Sequence, residues 1–267
     1  MRRLVSIVIP TYNRPRMLRD CLRALALDPY GPKQVIVAND GGVDVSEVIA
    51  PFAKTMRVDL LDLPVNRGHA HARNEAILHA DGDLLALCDD DDILWPGHLG
   101  RMVQGLREQP DALFFSDAEI VTYTHAHGRR HPIARAPFSF DFDRELIRRW
   151  NTVIPSGVVY ARKLHDEIGL FDEAMRDYWD WDFILRASDH AAIRRVPYAS
   201  VLYFCSATGD NQSADRTSMA RSFRRFRAKH GLGELPVSSF SGMLREAELD
   251  PYRRPTRLVW DGSLSAL

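Results

Sequence analysis

Cysteine is scarce in this 267-residue chain: only Cys21, Cys88 and Cys205 occur, odd in number and far apart. That excludes a disulfide framework and a zinc-type spacing, and it fits a reducing compartment. Net charge is nearly absent too, since 35 basic residues face 36 acidic ones. A globally basic nucleic-acid binder is therefore not expected, although a local basic patch is. No apolar stretch approaches the length of a membrane span. The apolar run after Arg2 and Arg3 is cut by Pro10 and the polar Thr11-Tyr12-Asn13 with no cleavage site beyond it, so it reads as a buried strand rather than a signal peptide. A cytoplasmic setting follows, with any membrane contact peripheral, at the inner face. Also missing are the G-x-G-x-x-G and P-loop patterns, H-E-x-x-H and the G-x-S-x-G elbow, which removes support for a dinucleotide fold, a Walker-type NTPase, a zinc hydrolase and an elbow-type serine hydrolase.

What is present is an ordinary globular composition, 45% hydrophobic and 27% charged. Short apolar runs at 4–9, 34–38, 58–63 and 83–88 read as strands buried on both faces. Between them, Met17, Leu18, Cys21, Leu22 and Leu25 recur at helical spacing behind Pro15, and Ala72, Ala76, Ile77 and Ala80 form a second stripe behind Gly68. Strand–helix alternation of this kind predicts an α/β fold, a mostly parallel sheet flanked by helices. Past residue 110 the rhythm changes. Residues 112–123 read as a long strand, 124–130 as a turn or exposed loop, and 131–143 as irregular. A strand at 153–161, a short helix ending at Gly169, a helical 177–188 and a strand at 194–204 follow. Residues 215–231 form a basic amphipathic helix, whose charged face is a solvated surface or a contact for anionic lipid or a phosphorylated substrate. The division expected is one composite domain over 1–235, with a nucleotide-binding half to about 115 and an acceptor-binding half from about 116, and a C-terminal helical extension over 236–267. That tail would cover the cleft or make a homodimer contact.

A parallel sheet gathers its ligand at the carboxyl ends of its strands. Those ends carry Pro10-Thr11-Tyr12-Asn13, Asn39-Asp40-Gly41-Gly42 and the run Asp89-Asp90-Asp91-Asp92, while Asn66-Arg67-Gly68 leads into the helix with Arg73. Adjacent carboxylates repel unless protonated or bridged by a cation, and hard oxygen ligands suit Mg2+ or Mn2+. In an extended segment Asp89 and Asp91 share one face, with Asp90 and Asp92 on the other. Asp40 is either a turn residue or a hydrogen-bond partner for a nucleobase or ribose. Arg67 and Arg73 are surface charges or phosphate partners. Among Asp177, Asp180 and Asp182, the first two share a helix face and the last two diverge. One positioned carboxylate there is what a general base for a hydroxyl requires. The histidines, among them His69, His71, His125 and His127, form no metal pattern.

Taken in order, VSIVIPTYNRP, VIVAND, NRGHAHARNEAILHADGDLLALCDDDD, SGVVYARKLHDEIGLFDE and DYWDWDFILRAS resemble family 2 of the GT-A glycosyltransferases over residues 4–205. The resemblance implies a Rossmann-like GT-A fold and metal-assisted, inverting sugar transfer from a nucleotide-sugar donor, UDP-sugars favoured, to a hydroxyl acceptor. By position, Pro10, Thr11, Tyr12 and Asp40 would hold the nucleoside, with Asn13 and Arg67 beside them and Arg73 near base or diphosphate. Asp89 and Asp91 would be the metal motif, Asp91 the direct ligand, and Asp90 would lie near ribose or sugar. Asp180 would be the acceptor-activating base of the family's Glu-Asp pair. Trp179 replaces the acid of that pair, which leaves Asp182 or Asp177 as substitutes. Residues 203–213 lack the family's arginine-histidine segment. Cell-envelope polysaccharide, glycolipid or natural-product synthesis fits such an enzyme. The rivals are a sugar nucleotidyltransferase, for which TYNRPR is a poor phosphate loop, and a degenerate nucleotide-sugar-binding or interaction protein.

Overall fold

A strand buried at all seven positions belongs in the middle of a sheet, and β1 (Val5–Thr11) lies there. The computed structural model describes residues 2–126, 129–207 and 216–264. After β1 come α1 (Pro15–Leu27), β2 (Lys33–Asp40), α2 (Ser46–Ile49), β3 (Arg57–Leu63), α3 (His69–Leu78), β4 (Leu84–Leu87), β5 (Ile93–Leu94) and α4 (His98–Glu108). The second half adds β6 (Leu113–Ala126), β7 (Arg129–Phe138), β8 (Val159–Ala161), α5 (Leu164–Ile168), α6 (Trp179–His190), β9 (Ile193–Ser206), α7 (Arg216–Lys229), α8 (Phe240–Met243) and β10 (Arg257–Leu258).

The sheet order is β10-β9-β6-β8-β4-β1-β2-β3. β1 runs parallel to β2 and β4, β2 to β3, and β6 to β9, while β8 is antiparallel to β4 and β6. The period-2 alternation of a strand sends its residues to opposite layers. Ile7 and Ile9 meet Leu18, Leu22 and Leu25 of α1 with Leu99 and Met102 of α4. Val8, Ile36 and Leu85 meet Ala72, Ala76 and Ile77 of α3 with Ile184 of α6. The α/β class and the mostly parallel sheet are as expected. Because β1, β2 and β4 are parallel neighbours, Thr11, Asp40 and the aspartate run emerge at one edge. Residues 115 and 116, the expected division between halves, lie inside β6, so the sheet is continuous across them.

Four expectations need correction. Residues 124–130 are not a loop throughout, since β6 continues to Ala126 and β7 begins at Arg129. Residues 131–143 are not irregular as a whole, because β7 pairs antiparallel with β6 as far as Phe138. Among the described residues β7 pairs only with β6, so its prolines Pro132 and Pro137 need supply no ladder to a second neighbour, and its exposed face has no reason to alternate. The strand read at 153–161 shrinks to Val159–Ala161, because Pro155 and the left-handed Gly157 turn the chain first. β3 is a half-exposed edge strand rather than one buried on both faces. The extension supplies α8 and a 3-10 turn at Ala247–Tyr252, and also β10, which joins the sheet edge beside β9. Among the described residues no helix is long and apolar enough to cross a membrane. His127 and the part of 203–213 beyond Ala207 lie outside the described residues.

Candidate active site

β4 stops at Leu87, and the backbone N–H of Asp92 donates to the Asp89 carbonyl (3.2 Å). The aspartates therefore form a turn rather than an extended segment, and their side chains do not simply alternate. The carboxylates of Asp89 and Asp91 converge, and Asp90 stands outside that cluster. Asp92 departs from expectation: one carboxylate oxygen from each of Asp89, Asp91 and Asp92 lies within 4.8 Å of the others. Asp90 instead accepts from the Thr11 hydroxyl (2.7 Å) and from Arg14 (3.1 Å).

Arg14 also reaches Asp91 (2.8 Å), and Arg130 donates to the Asp91 carbonyl (2.6 Å). Ser156 Oγ donates to Asp92 (2.5 Å) and accepts from the Asp89 N–H (3.1 Å). Burial, then the charge of Asp91, pushes the Asp90 carboxyl up to about 7. Burial also raises Asp91, against the pull of Arg14, and raises Asp92 strongly, reinforced by Asp91 and Asp89. The crowded carboxylates of Asp89, Asp91 and Asp92 are all hard oxygen donors and fit a divalent cation, which relieves their repulsion.

The edge at the ends of β1 and β2 is built by loops. Asp40 accepts from the backbone N–H groups of Arg67 (2.9 Å) and Gly68 (2.7 Å), so it clasps the loop ahead of α3. Gly41 has φ +69°, and a Cβ there would stand 2.6 Å from Asn66 N, so only glycine fits this turn. Asn13, also left-handed, accepts from the Val43 N–H (2.9 Å). Pro10 is buried in β1, whereas Tyr12 at its end is 38% exposed, an aromatic face open at the strand ends. Arg67 reaches outward to Glu173 (3.2 Å). Arg73 is wholly buried: it pairs with Asp89, donates to the His69 carbonyl (3.1 Å) and lies 3.8 Å over the Trp179 ring. Its charge thus reaches the site through Asp89.

Asp177, Asp180 and Asp182 differ in their partners. Asp182 is fully buried and held by Arg186 (2.9 Å), Lys229 (2.7 Å) and His230 (2.8 Å). Burial raises its pKa, but hydrogen bonds from His230, Lys229 and Arg186, with the Arg186 charge, outweigh burial and bring it down to about 2. Asp177 accepts from Ser222 (2.7 Å). Neither shares the situation of Asp180, whose side-chain partner is the neutral Asn151 amide, donating at 2.8 Å. Burial pushes Asp180 up to about 6, with Asp89 adding to the rise. Replacing Asp182 with alanine is expected to cost about 2–3 kcal/mol, because the half-buried Arg186, Lys229 and His230 lose a fully buried acceptor, and urea unfolding measures it. Its depressed pKa gives stability present above the unfolded value near 3.8 and lost as pH falls toward about 2.

The histidines add no metal cluster among the described residues: His71 pairs with Glu173 (3.0 Å), and His125 packs against Tyr123. His69 contacts the Arg176 carbonyl and Trp179, and burial, then Arg73, lowers its pKa to about 4. All three cysteines are free. Sequence reasoning missed Arg14, Arg130, Asn151 and Ser156. Only Arg14 carried a signal, standing between the polar end of β1 and the proline that opens α1.

Residues 6–169 match the model of glycosyl transferase family 2, and the chain belongs to that family. It is 42% identical over 259 residues to the uncharacterized glycosyltransferase YwdF of Bacillus subtilis (strain 168), covering 97% of this chain and 96% of that one. It is 28% identical over 228 residues to the succinoglycan biosynthesis protein ExoU of Rhizobium meliloti (strain 1021), covering 79% of this chain and 66% of that one. Among solved structures it is similar to S. aureus TarS 1-349 in complex with UDP-GlcNAc, with a TM-score of 0.65 at 18% identity, over 88% of this chain and 68% of that one. The mannosyltransferase PcManGT of Pyrobaculum calidifontis, in complex with GDP-Man and Mn2+, gives 0.61 at 19% identity, over 88% of this chain and 66% of that one. The fold is thus the GT-A arrangement of a family 2 glycosyltransferase.

Proposed function

We propose that this enzyme moves a sugar, with inversion, from a nucleoside-diphosphate sugar to an acceptor hydroxyl. UDP-sugars are the favoured donors, and polysaccharide, glycolipid or natural-product synthesis is the setting. One observation carries the reading. The crowded Asp89, Asp91 and Asp92 carboxylates follow β4, and Asp89 acts electrostatically on Asp180 of α6, the one carboxylate of its trio paired with neither a cation nor a hydroxyl. UDP, UDP-GlcNAc and GDP-Man in the complexes of similar structures support a nucleotide donor, and the Mn2+ of one of them supports a metal.

Pro10, Thr11, Tyr12 and Asn13 form the bed for the nucleoside. Asp40 holds the Arg67–Gly68 loop beside it and keeps carboxylate lone pairs for a base or ribose. Asp90 lies toward ribose and sugar. Asp91 and Asp89, with Asp92 beside them, would hold Mn2+ or Mg2+, which when bound would offset charge on the departing diphosphate. Arg14 supplies a second positive centre at the same carboxylates. Asp180 takes the acceptor proton as the hydroxyl oxygen attacks the anomeric carbon from the face opposite the leaving nucleoside diphosphate. A single displacement inverts that carbon.

Turnover with UDP-, dTDP- and GDP-sugars against saccharide and lipid-linked acceptors, with Mn2+ or EDTA, tests this. The expected product has the anomeric configuration opposite to the donor, seen by NMR, and forms only with metal. A retained configuration, or undiminished turnover in EDTA, contradicts the reading.

A further inference from the structure

Trp179 stands where the family pattern carries an acid, one peptide bond before Asp180. The indole is buried, and the Arg73 guanidinium lies over its ring at 3.8 Å. Arg73 is 0% exposed, so its charge has given up water on every side. The indole face, the Asp89 carboxylate and the His69 carbonyl replace that water, while Nε has no hydrogen-bond partner. A buried cation with so few counterparts depends on each of them. Phe171 (5.0 Å between ring centroids) and His69 (5.6 Å) meet the indole edge-on and keep it from turning out of the stack. A carboxylate at this position would compete with Asp89 for the guanidinium; the indole attracts the cation yet leaves Nη2 to Asp89.

Asp89 is the far end of this chain of contacts. Arg73 takes its Oδ1, and its backbone N–H is held by Ser156. The stack therefore joins the start of α6, which carries Asp180, to the carboxylate at the end of β4. We propose that Trp179 is a positioning residue acting through Arg73. Its indole face fixes the guanidinium, the guanidinium orients Asp89 toward the cation and donor diphosphate, and the acceptor base and donor carboxylate are held at a set separation. This rests on the donor-site reading given under Proposed function.

Calorimetric titration of UDP in Mn2+ into wild type, Trp179→Phe and Trp179→Leu tests it, with thermal unfolding to confirm each fold. Phenylalanine keeps a π face and is expected to weaken binding by less than about threefold, whereas leucine, similar in bulk but without one, weakens it about tenfold. Equal affinity of the leucine variant and wild type overturns the proposal, as does a phenylalanine variant no better than leucine. Should leucine prevent folding, Arg73→Lys keeps the charge and loses the planar stack. The same weakening is then expected, and unchanged binding overturns the proposal. Wild type that binds no UDP in Mn2+ overturns the donor-site reading itself, a result distinct from indifference at position 179.

Discussion

Asp180→Asn is expected to lower kcat about 10^3-fold while leaving the affinity for UDP in Mn2+ within a factor of two or so. The amide is isosteric and still accepts from Asn151, but it takes no proton from a hydroxyl. The pH dependence follows from the same carboxyl. Burial pushes Asp180 up to about 6, and the base works deprotonated, so kcat in the wild type rises with pH through about 6 and levels above 7. A variant lacking this carboxyl loses that limb. Stability moves the other way. A pKa raised on folding contributes stability that is complete below the unfolded value near 3.8 and lost as pH rises through about 6. At pH 7.5 the buried ionised carboxylate is therefore a cost, and Asp180→Asn is expected to raise Tm as it abolishes turnover. A lowered Tm with slow turnover would point to a structural role instead.

Asp91→Ala carries the second large effect, with a sign that depends on metal. Without metal, Asp91 is held near Asp89 and Asp92 in a setting that raises the pKa of both Asp91 and Asp92, so deleting it relieves repulsion. Arg14 keeps Asp90 as a partner, so no buried cation is stranded. Thermal unfolding in EDTA is therefore expected to show the variant as stable as wild type, or more so. In Mn2+ with UDP the wild type should gain several degrees and the variant almost nothing, a loss of at least about 100-fold in metal-dependent affinity. A variant that gains as much as wild type would remove Asp91 from the metal site.

Much of this was legible in local pattern. Apolar runs and helical stripes are set by near neighbours in the chain, which is why the order β1, α1, β2, α3, β4 and the polar strand ends could be read directly. The resemblance also marked Asp91 and Asp180. What could not be read depended on distant partners. The different partners of Asp177, Asp180 and Asp182 could not be read, since Lys229 and His230 fold back onto Asp182 while Asn151 meets Asp180. Asp92 joined the cluster because a turn replaced the extended segment, a tertiary outcome fixed partly by Ser156. β7 escaped because an edge strand with one partner tolerates proline and shows little alternation. Arg73 was read as a surface charge or phosphate partner, whereas it is wholly buried and paired with Asp89.

The central claim is that the β1, β2 and β4 ends form a metal-dependent nucleotide site, and calorimetric titration of the wild type with UDP, dTDP and GDP tests it most directly. The titrations run in Mn2+ and then in EDTA. The account predicts saturable binding of UDP in Mn2+, weaker binding of the other two, and loss of the UDP signal in EDTA. Binding of UDP that is equally tight in EDTA, or no binding of any of the three by folded protein, would contradict it.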